Sequence, residues 1–201
     1  DQKVIPQIPI YVDSPMAVSA TSIFRVHPEC YDEETHEAFL KHHKNPFGFD
    51  QLRFITSVEE SKALNDLEGP MVIISADGMC EAGRILHHLS NNVGDPRNQL
   101  LLVGFMAEHT LGRRLQEREL EVKIMGEWHT VRAETTQINA FSAHADYEEM
   151  TAWLKECDTT ELKRIYLVHG EHEVQIVFKD HLENEGFPNV HIVKYGEAYE
   201  L

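Results

Sequence analysis

Short apolar runs alternate with amphipathic segments through the first hundred residues of the chain. The clearest runs cover residues 8–12, 71–75 and 100–104, and they predict buried strands. The segments between the runs place apolar residues three and four positions apart, as one face of a helix does. Strands that alternate with helices at this spacing indicate a parallel α/β sheet with both faces covered.

The pattern also predicts where the helices begin and end. A side-chain cap followed by Pro15 starts a helix that runs to about Val26. Three more helices are expected in this half of the chain, over residues 32–43, over residues 58–67, and through Ile85, Leu86, Leu89 and Val93.

After about residue 118 the pattern changes to half-buried strands. A hairpin is expected around Gly126, followed by a strand over residues 135–141. Asp146 and Glu149 then form a capping box at the start of a helix. We therefore place a domain boundary near residue 117, giving domains of residues 1–117 and 118–201.

Two apolar helical stripes follow in the second domain. The first comprises Met150, Trp153, Leu154 and Cys157. The second lies between the strands predicted at residues 164–168 and 190–194 and comprises Val174, Val177, Phe178, His181 and Leu182. Gly186 ends the second helix.

Composition excludes some classes of function. The formal net charge of −16 argues against broad binding to nucleic acid, although it does not exclude a narrow phosphate site. No apolar run is long enough to span a bilayer, and the first residues lack the pattern of a signal peptide. The spacing of the three cysteines indicates neither a disulfide framework nor a zinc knuckle, so we expect a cytoplasmic protein. We also expect no membrane contact.

Two of the 13 histidines lie where a predicted strand gives way to a helix. His144 follows the strand at residues 135–141, and His169 follows the strand at residues 164–168. Ligands of open α/β sheets bind at the carboxyl ends of the strands. If the two strands are neighbours, both imidazoles face the same crevice. Spacing alone leaves open that both are ordinary exposed loop histidines.

A third strand–helix junction contains Ser75, Ala76, Asp77 and Gly78. Gly78 allows the backbone to approach a ligand closely, and a helix N-terminus offers N–H groups to an anion. Arg84 lies about two turns further on. The alternative is an ordinary turn with a solvent-facing arginine.

Five segments in this order resemble a β-CASP nuclease of the metallo-β-lactamase superfamily. They are VDSPMA (12–17), SADGMCEAGRILHHL (75–89), DPRNQLLLVGFMAEHTLGRRL (95–115), INAFSAHADY (138–147) and YLVHGE (166–171). The resemblance implies a parallel-rich β-CASP sheet flanked by helices. It also implies the C-terminal strands and helices of a metallo-β-lactamase αββα half.

The resemblance gives the two histidines separate roles. His144 stands at the family's motif B, a general acid or transition-state stabiliser beside the scissile phosphate. His169 stands at motif C, a ligand of the second of two zinc ions. The implied activity is a zinc-dependent RNA-processing phosphodiesterase, endo- or exoribonuclease, that acts on single-stranded RNA.

Four further residues are implied as substrate contacts. Ser75, Gly78 and Arg84 lie in the β-CASP part that clamps the RNA strand, and Ser142 lies in the motif B segment. We expect the hydroxyls and the guanidinium to contact phosphate.

The family's HxHxDH motif occurs nowhere in the chain. The pairs His42-His43 and His87-His88 fall on predicted helices, where adjacent side chains diverge, and we expect them to be solvated. Asp13 is assigned to the opening of the β-CASP domain and not to the family's acidic motif A. We therefore expect this chain to be part of a longer enzyme, inactive and metal-free by itself.

Two other functions remain open from the sequence. A non-catalytic scaffold of an RNA-processing complex would not need the two motif histidines, and a small-molecule metallo-hydrolase would not need the β-CASP insertion. Apolar surface left uncovered in the second domain would favour a homodimer.

Overall fold

The computed structural model describes residues 6–40, 48, 51–141 and 144–199, with the backbone alone for residues 38–40. The chain divides into two compact units, Asp1–Phe141 and Ser142–Leu201. The domain boundary near residue 117 stays a prediction.

The elements of the first unit alternate as expected. Its strands are β1 (Ile10–Asp13), β2 (Leu52–Phe54), β3 (Val72–Ser75), β4 (Gln99–Val103), β5 (Glu121–Ile124), β6 (Glu127–Thr130) and β7 (Glu134–Ile138). Its helices are α1 (Pro15–Val26), α2 (Glu33–Leu40), α3 (Val58–Ala63), α4 (Ile85–Asn92) and α5 (Leu111–Gln116).

The elements of the second unit follow in the same alternation. They are α6 (Tyr147–Glu156), β8 (Ile165–Leu167), α7 (His172–Asn184) and β9 (Val190–Ile192). The predicted class is confirmed, because parallel strands form sheets flanked by helices. No helix of the described ranges is long and apolar enough to cross a membrane.

The first sheet has the order β2-β1-β3, with all pairs parallel. Tyr11 lies opposite both Arg53 and Ile73 and is buried with Ile55 and Leu64. Ser14 caps α1 by accepting a hydrogen bond from the Ala17 N–H at 3.3 Å. The sheet thus places the carboxyl ends of its strands beside the start of α1.

A larger core is formed by residues of α4, α5, β4 and β5. Strand β4 pairs with β7 in parallel, and β5 pairs with β6 in the predicted hairpin, which turns at Gly126. The most deeply buried members of the core are Val93, Met106, Leu115, Val122 and Ile124.

The expectation of two covered sheet faces is wrong for part of this unit. Ile74 on β3 is 52% exposed, and Leu101 on β4 is 50% exposed. An apolar run indicates that a strand can be buried on both faces, but it does not supply the element that covers the second face.

The two predicted stripes of the second unit are only half buried. Leu182 is fully buried with Phe187 and Val190, whereas Trp153 is 68% and Val177 69% exposed. In this unit the start of α6 and the end of α7 are where the sequence predicts them. Asp146 and Glu149 form the expected capping box.

Candidate active site

His144 lies on an exposed loop just before a firmly capped helix. The Asp146 carboxylate accepts hydrogen bonds from the N–H groups of Glu148 and Glu149, both at 2.9 Å. The Glu149 carboxylate in turn accepts the Asp146 N–H at 3.0 Å. The cap fixes the backbone two residues after His144, and His144 itself is exposed.

His169 lies two residues beyond the end of β8, on the loop that enters α7. Its φ of +69° is in the left-handed region, and Gly170 follows with a φ of +111°. The Gln175 side chain donates to the His169 carbonyl oxygen at 3.2 Å. The loop therefore turns sharply, and its imidazole is exposed at the end of the strand.

The two histidines belong to one compact unit, but their strands do not share a sheet in the described ranges. β7 pairs with β4, and β8 pairs with β9. Because β7 and β8 belong to different units, the neighbourhood of these two strands stays a prediction. The shared crevice rested on that neighbourhood and stays a prediction.

Zinc would need more ligands than the described residues bring together. Imidazole is a common zinc ligand, so His169 fits in kind. Two residues after His169, the Glu171 carboxylate has one buried oxygen that makes no hydrogen bond to the described part of the chain. However, no group of three or more histidine, cysteine or acidic side chains lies together among the described residues. The donors that the described residues bring together are too few for a zinc site.

The junction after β3 differs from the expected anion site. Helix α4 begins at Ile85 and not directly after Gly78. The Asp77 carboxylate accepts the N–H groups of Met79, Glu81 and Ala82 at 2.9–3.2 Å. A side-chain carboxylate thus occupies the N–H groups that the sequence offers to a phosphate.

Two of the substrate contacts predicted at this junction differ in their surroundings: Ser75 bonds to the chain itself, and Gly78 borders open space. The Ser75 hydroxyl donates to the Asp13 carbonyl oxygen at 3.0 Å. A Cβ added at Gly78 would meet nothing within 4 Å, so packing does not require glycine there. Ser142 lies outside the described residues. These phosphate contacts stay predictions.

Arg84 joins a buried cluster around Asp13. Its Nη1 lies 2.5 Å from the Asp13 carboxylate, and its Nη2 donates to the Thr56 carbonyl oxygen at 3.1 Å. The Arg84 side chain is 16% exposed and that of Asp13 is fully buried. Arg84 therefore connects β1 to the segment after β2, and contact with a phosphate would use its small exposed part.

His88 completes the cluster, and the expectation that it is solvated is wrong. The ring is buried, with Nε2 at 2.7 Å from the Asp13 carboxylate and Nδ1 at 3.0 Å from the Asn65 side-chain oxygen. Its neighbour His87 is exposed, as expected. His42 and His43 lie outside the described residues.

The charge of Asp13 is stabilised inside the protein. Burial alone would raise the pKa of this carboxyl group, but hydrogen bonds from Ser61, His88 and Arg84 outweigh burial and hold the pKa below its usual 3.8. The Ser61 hydroxyl donates to it at 2.5 Å. Sequence reasoning missed this role, although a charged residue at the end of a buried strand needs partners and could have been a signal.

Comparison with known proteins matches the two parts of the chain to two family models. The Beta-Casp domain matches residues 1–115, and the Zn-dependent metallo-hydrolase RNA specificity domain matches residues 128–193. The second match includes both motif histidines.

Relatives match along most of the chain. Ribonuclease TTHA0252 of Thermus thermophilus is 38% identical over 194 residues, which are 96% of this chain and 43% of that protein. Transcription termination factor FttA of Pyrococcus horikoshii is 31% identical over 82% of this chain and 26% of its own length. The FttA of Methanosarcina mazei is 28% identical over 83% of this chain and 27% of its own length. The chain thus spans less than half the length of these relatives, and because the Beta-Casp model covers more than half of the chain, the protein belongs to the β-CASP family of the metallo-β-lactamase superfamily.

Proposed function

We propose that this chain contributes RNA-binding and catalytic segments to a zinc-dependent ribonuclease that cleaves phosphodiester bonds of single-stranded RNA. The observation that carries the proposal is the placement of His144 and His169. Both lie on exposed loops before helices of the same unit, within the segment that matches an RNA specificity domain.

His144 is the group that we assign to proton transfer. A histidine titrates near neutral pH, and the leaving oxygen of a phosphodiester needs a proton as the bond breaks. The capping box beyond it holds the backbone in one conformation, which favours a fixed position of the ring.

His169 is the residue that we assign to the metal. Bound zinc would supply an activated water and stabilise charge on the phosphate oxygens. The Gln175 hydrogen bond to the His169 carbonyl oxygen holds the loop that presents the ring. The other ligands would come from outside the described residues.

The name of the Thermus relative supports ribonuclease over a small-molecule hydrolase. A non-catalytic scaffold is the remaining competitor, and mutation separates it from an enzyme. We also propose a cytoplasmic location and a homodimer. Free cysteines support the first, since Cys30, Cys80 and Cys157 form no disulfide. The exposed Trp153 and Val177 support the second.

The test compares two exposed histidines of the same unit in the full-length protein. His144→Ala should lower RNA cleavage by at least a hundredfold, as expected for loss of a general acid. His172→Ala, at the first position of α7, is the matched control and should cleave as the wild type does. Equal cleavage by both variants and the wild type would reject the role of His144, and a wild type that cleaves no RNA would favour the scaffold.

The chain by itself provides a second check. With one motif ligand and no metal cluster in the described ranges, it should hold far less than one zinc per chain and leave RNA uncut. Stoichiometric zinc in the purified chain would contradict the assignment of the missing ligands to other segments.

A further inference from the structure

A cleft opens between α3 and α4, away from both motif histidines in the sequence. Its volume is about 540 Å³, within the range of small-ligand sites. The lining residues are Val58, Ser61, Lys62, Asn65, Gly83, Arg84, His87 and Asn91. Of the substrate contacts predicted from the sequence, Arg84 lines this cleft, and Ser75 and Gly78 do not.

The charge of the lining is opposite to that of the protein. Three of the lining side chains are basic or can become so, namely Lys62, Arg84 and His87, and none is acidic. The chain as a whole carries a net charge of −16. A local basic surface on an acidic protein attracts anions to one place.

The cations of the cleft are not equivalent. Arg84 is 16% exposed, and its charge is offset by its ion pair with the buried Asp13 carboxylate. Lys62 is exposed, and its side chain makes no hydrogen bond or ion pair with the described part of the chain. The net positive charge of the lining therefore comes from Lys62.

The remaining walls combine apolar surface with amides. Val58 is 53% exposed at the rim, and the methylene stem of Lys62 lies in the same wall. Asn65 and Asn91 provide amide groups that are held in place, since the Asn65 oxygen accepts from the Asn92 side chain at 3.3 Å and Asn91 donates to the His87 carbonyl oxygen at 2.7 Å. Apolar surface, amides and an exposed cation together suit a base and its phosphate.

We propose that this cleft binds a nucleotide, with its phosphate at Lys62 and His87 and its base against Val58. The nucleotide comes either from an RNA strand or from a free mononucleotide. The RNA source rests on the ribonuclease function proposed above, whereas the mononucleotide source does not.

The first experiment titrates the isotope-labelled chain with adenosine monophosphate and follows the side-chain amide NMR signals of Asn65 and Asn91. Both signals should shift, and Lys62→Glu should weaken binding at least tenfold. Lys123→Glu is the matched control, because Lys123 is an exposed lysine of the same unit and its substitution changes the net charge equally. Signals that do not move, or equal binding by the two variants, would overturn the proposal.

The second experiment separates the two sources with a single-stranded oligoribonucleotide and a salt series. If RNA occupies the cleft, Lys62→Glu should reduce the slope of log K against log salt by about 0.7, the value for one phosphate contact. If adenosine monophosphate shifts the two amide signals but the salt slope for RNA is unchanged, the cleft binds a free mononucleotide. An unchanged salt slope together with unmoved amide signals would overturn nucleotide binding at the cleft. The ribonuclease proposal would stay intact, since that proposal depends on cleavage by the His144 variant.

Discussion

Removal of the Asp13 carboxylate should destabilise the first unit strongly. The carboxylate accepts hydrogen bonds from Ser61, His88 and Arg84 and is fully buried. Hydrogen bonds to a charged group contribute roughly 1.5–3 kcal/mol each. The three bonds together therefore set an upper limit on the free energy of unfolding that is lost. Because Arg84 keeps the Thr56 carbonyl oxygen as an acceptor, we expect Asp13→Ala to cost about 3–5 kcal/mol, as measured for broken buried pairs.

Urea unfolding followed by tryptophan fluorescence provides the assay. Trp128 lies in the first unit and Trp153 in the second, so a Trp153→Phe background makes the signal specific to the first unit. The matched control is Asp95→Ala, which removes an exposed pair with Arg97 and should hardly move the midpoint. Asp13→Asn keeps one acceptor oxygen and should fall between the wild type and Asp13→Ala.

The effect should also depend on pH in one direction. The pKa of Asp13 is lower in the folded protein than its usual 3.8, so its stabilisation is present above pH 3.8. It is lost as the pH falls through the folded pKa. The difference in urea midpoint between the wild type and Asp13→Ala should therefore become smaller below pH 3.8. Equal midpoints for Asp13→Ala and Asp95→Ala at neutral pH would refute the reasoning.

Two further predictions concern a glycine and the cysteines. Gly83→Ala should destabilise the chain more than Gly126→Ala in a thermal melt, because both have positive φ but only the new Cβ at Gly83 meets a backbone oxygen, at 2.6 Å; equal losses would contradict the clash. Cys30 and Cys157 are exposed and should react with a thiol reagent in the native state. Burial raises the pKa of Cys80 to about 11, so this thiol should react only on unfolding, and three fast thiols would contradict its burial.

The starts of α1 and α6 were predictable because local chemistry sets them. Ser14 and Pro15 start α1, and the Asp146–Glu149 capping box starts α6, as their residue types require. Such caps involve side chains within three residues of each other. They can therefore be identified without knowledge of the rest of the fold.

The buried cluster was not predictable for the opposite reason. His88 lies 75 positions from Asp13, and a histidine pair on a helix gives no sign of which ring is buried. The Asp77 carboxylate likewise occupies its own loop, which Gly78 and the helix pattern suggested was open to an anion. Partners distant in sequence, and local carboxylates that compete with a ligand, require the three-dimensional structure.

The assignment of separate roles to the two histidines is the central claim, and one pair of measurements on the full-length protein tests it. His144→Ala should lose RNA cleavage and keep the zinc content of the wild type, whereas His169→Ala should lose cleavage together with zinc. Loss of zinc in His144→Ala, or full zinc content in His169→Ala, would contradict the account.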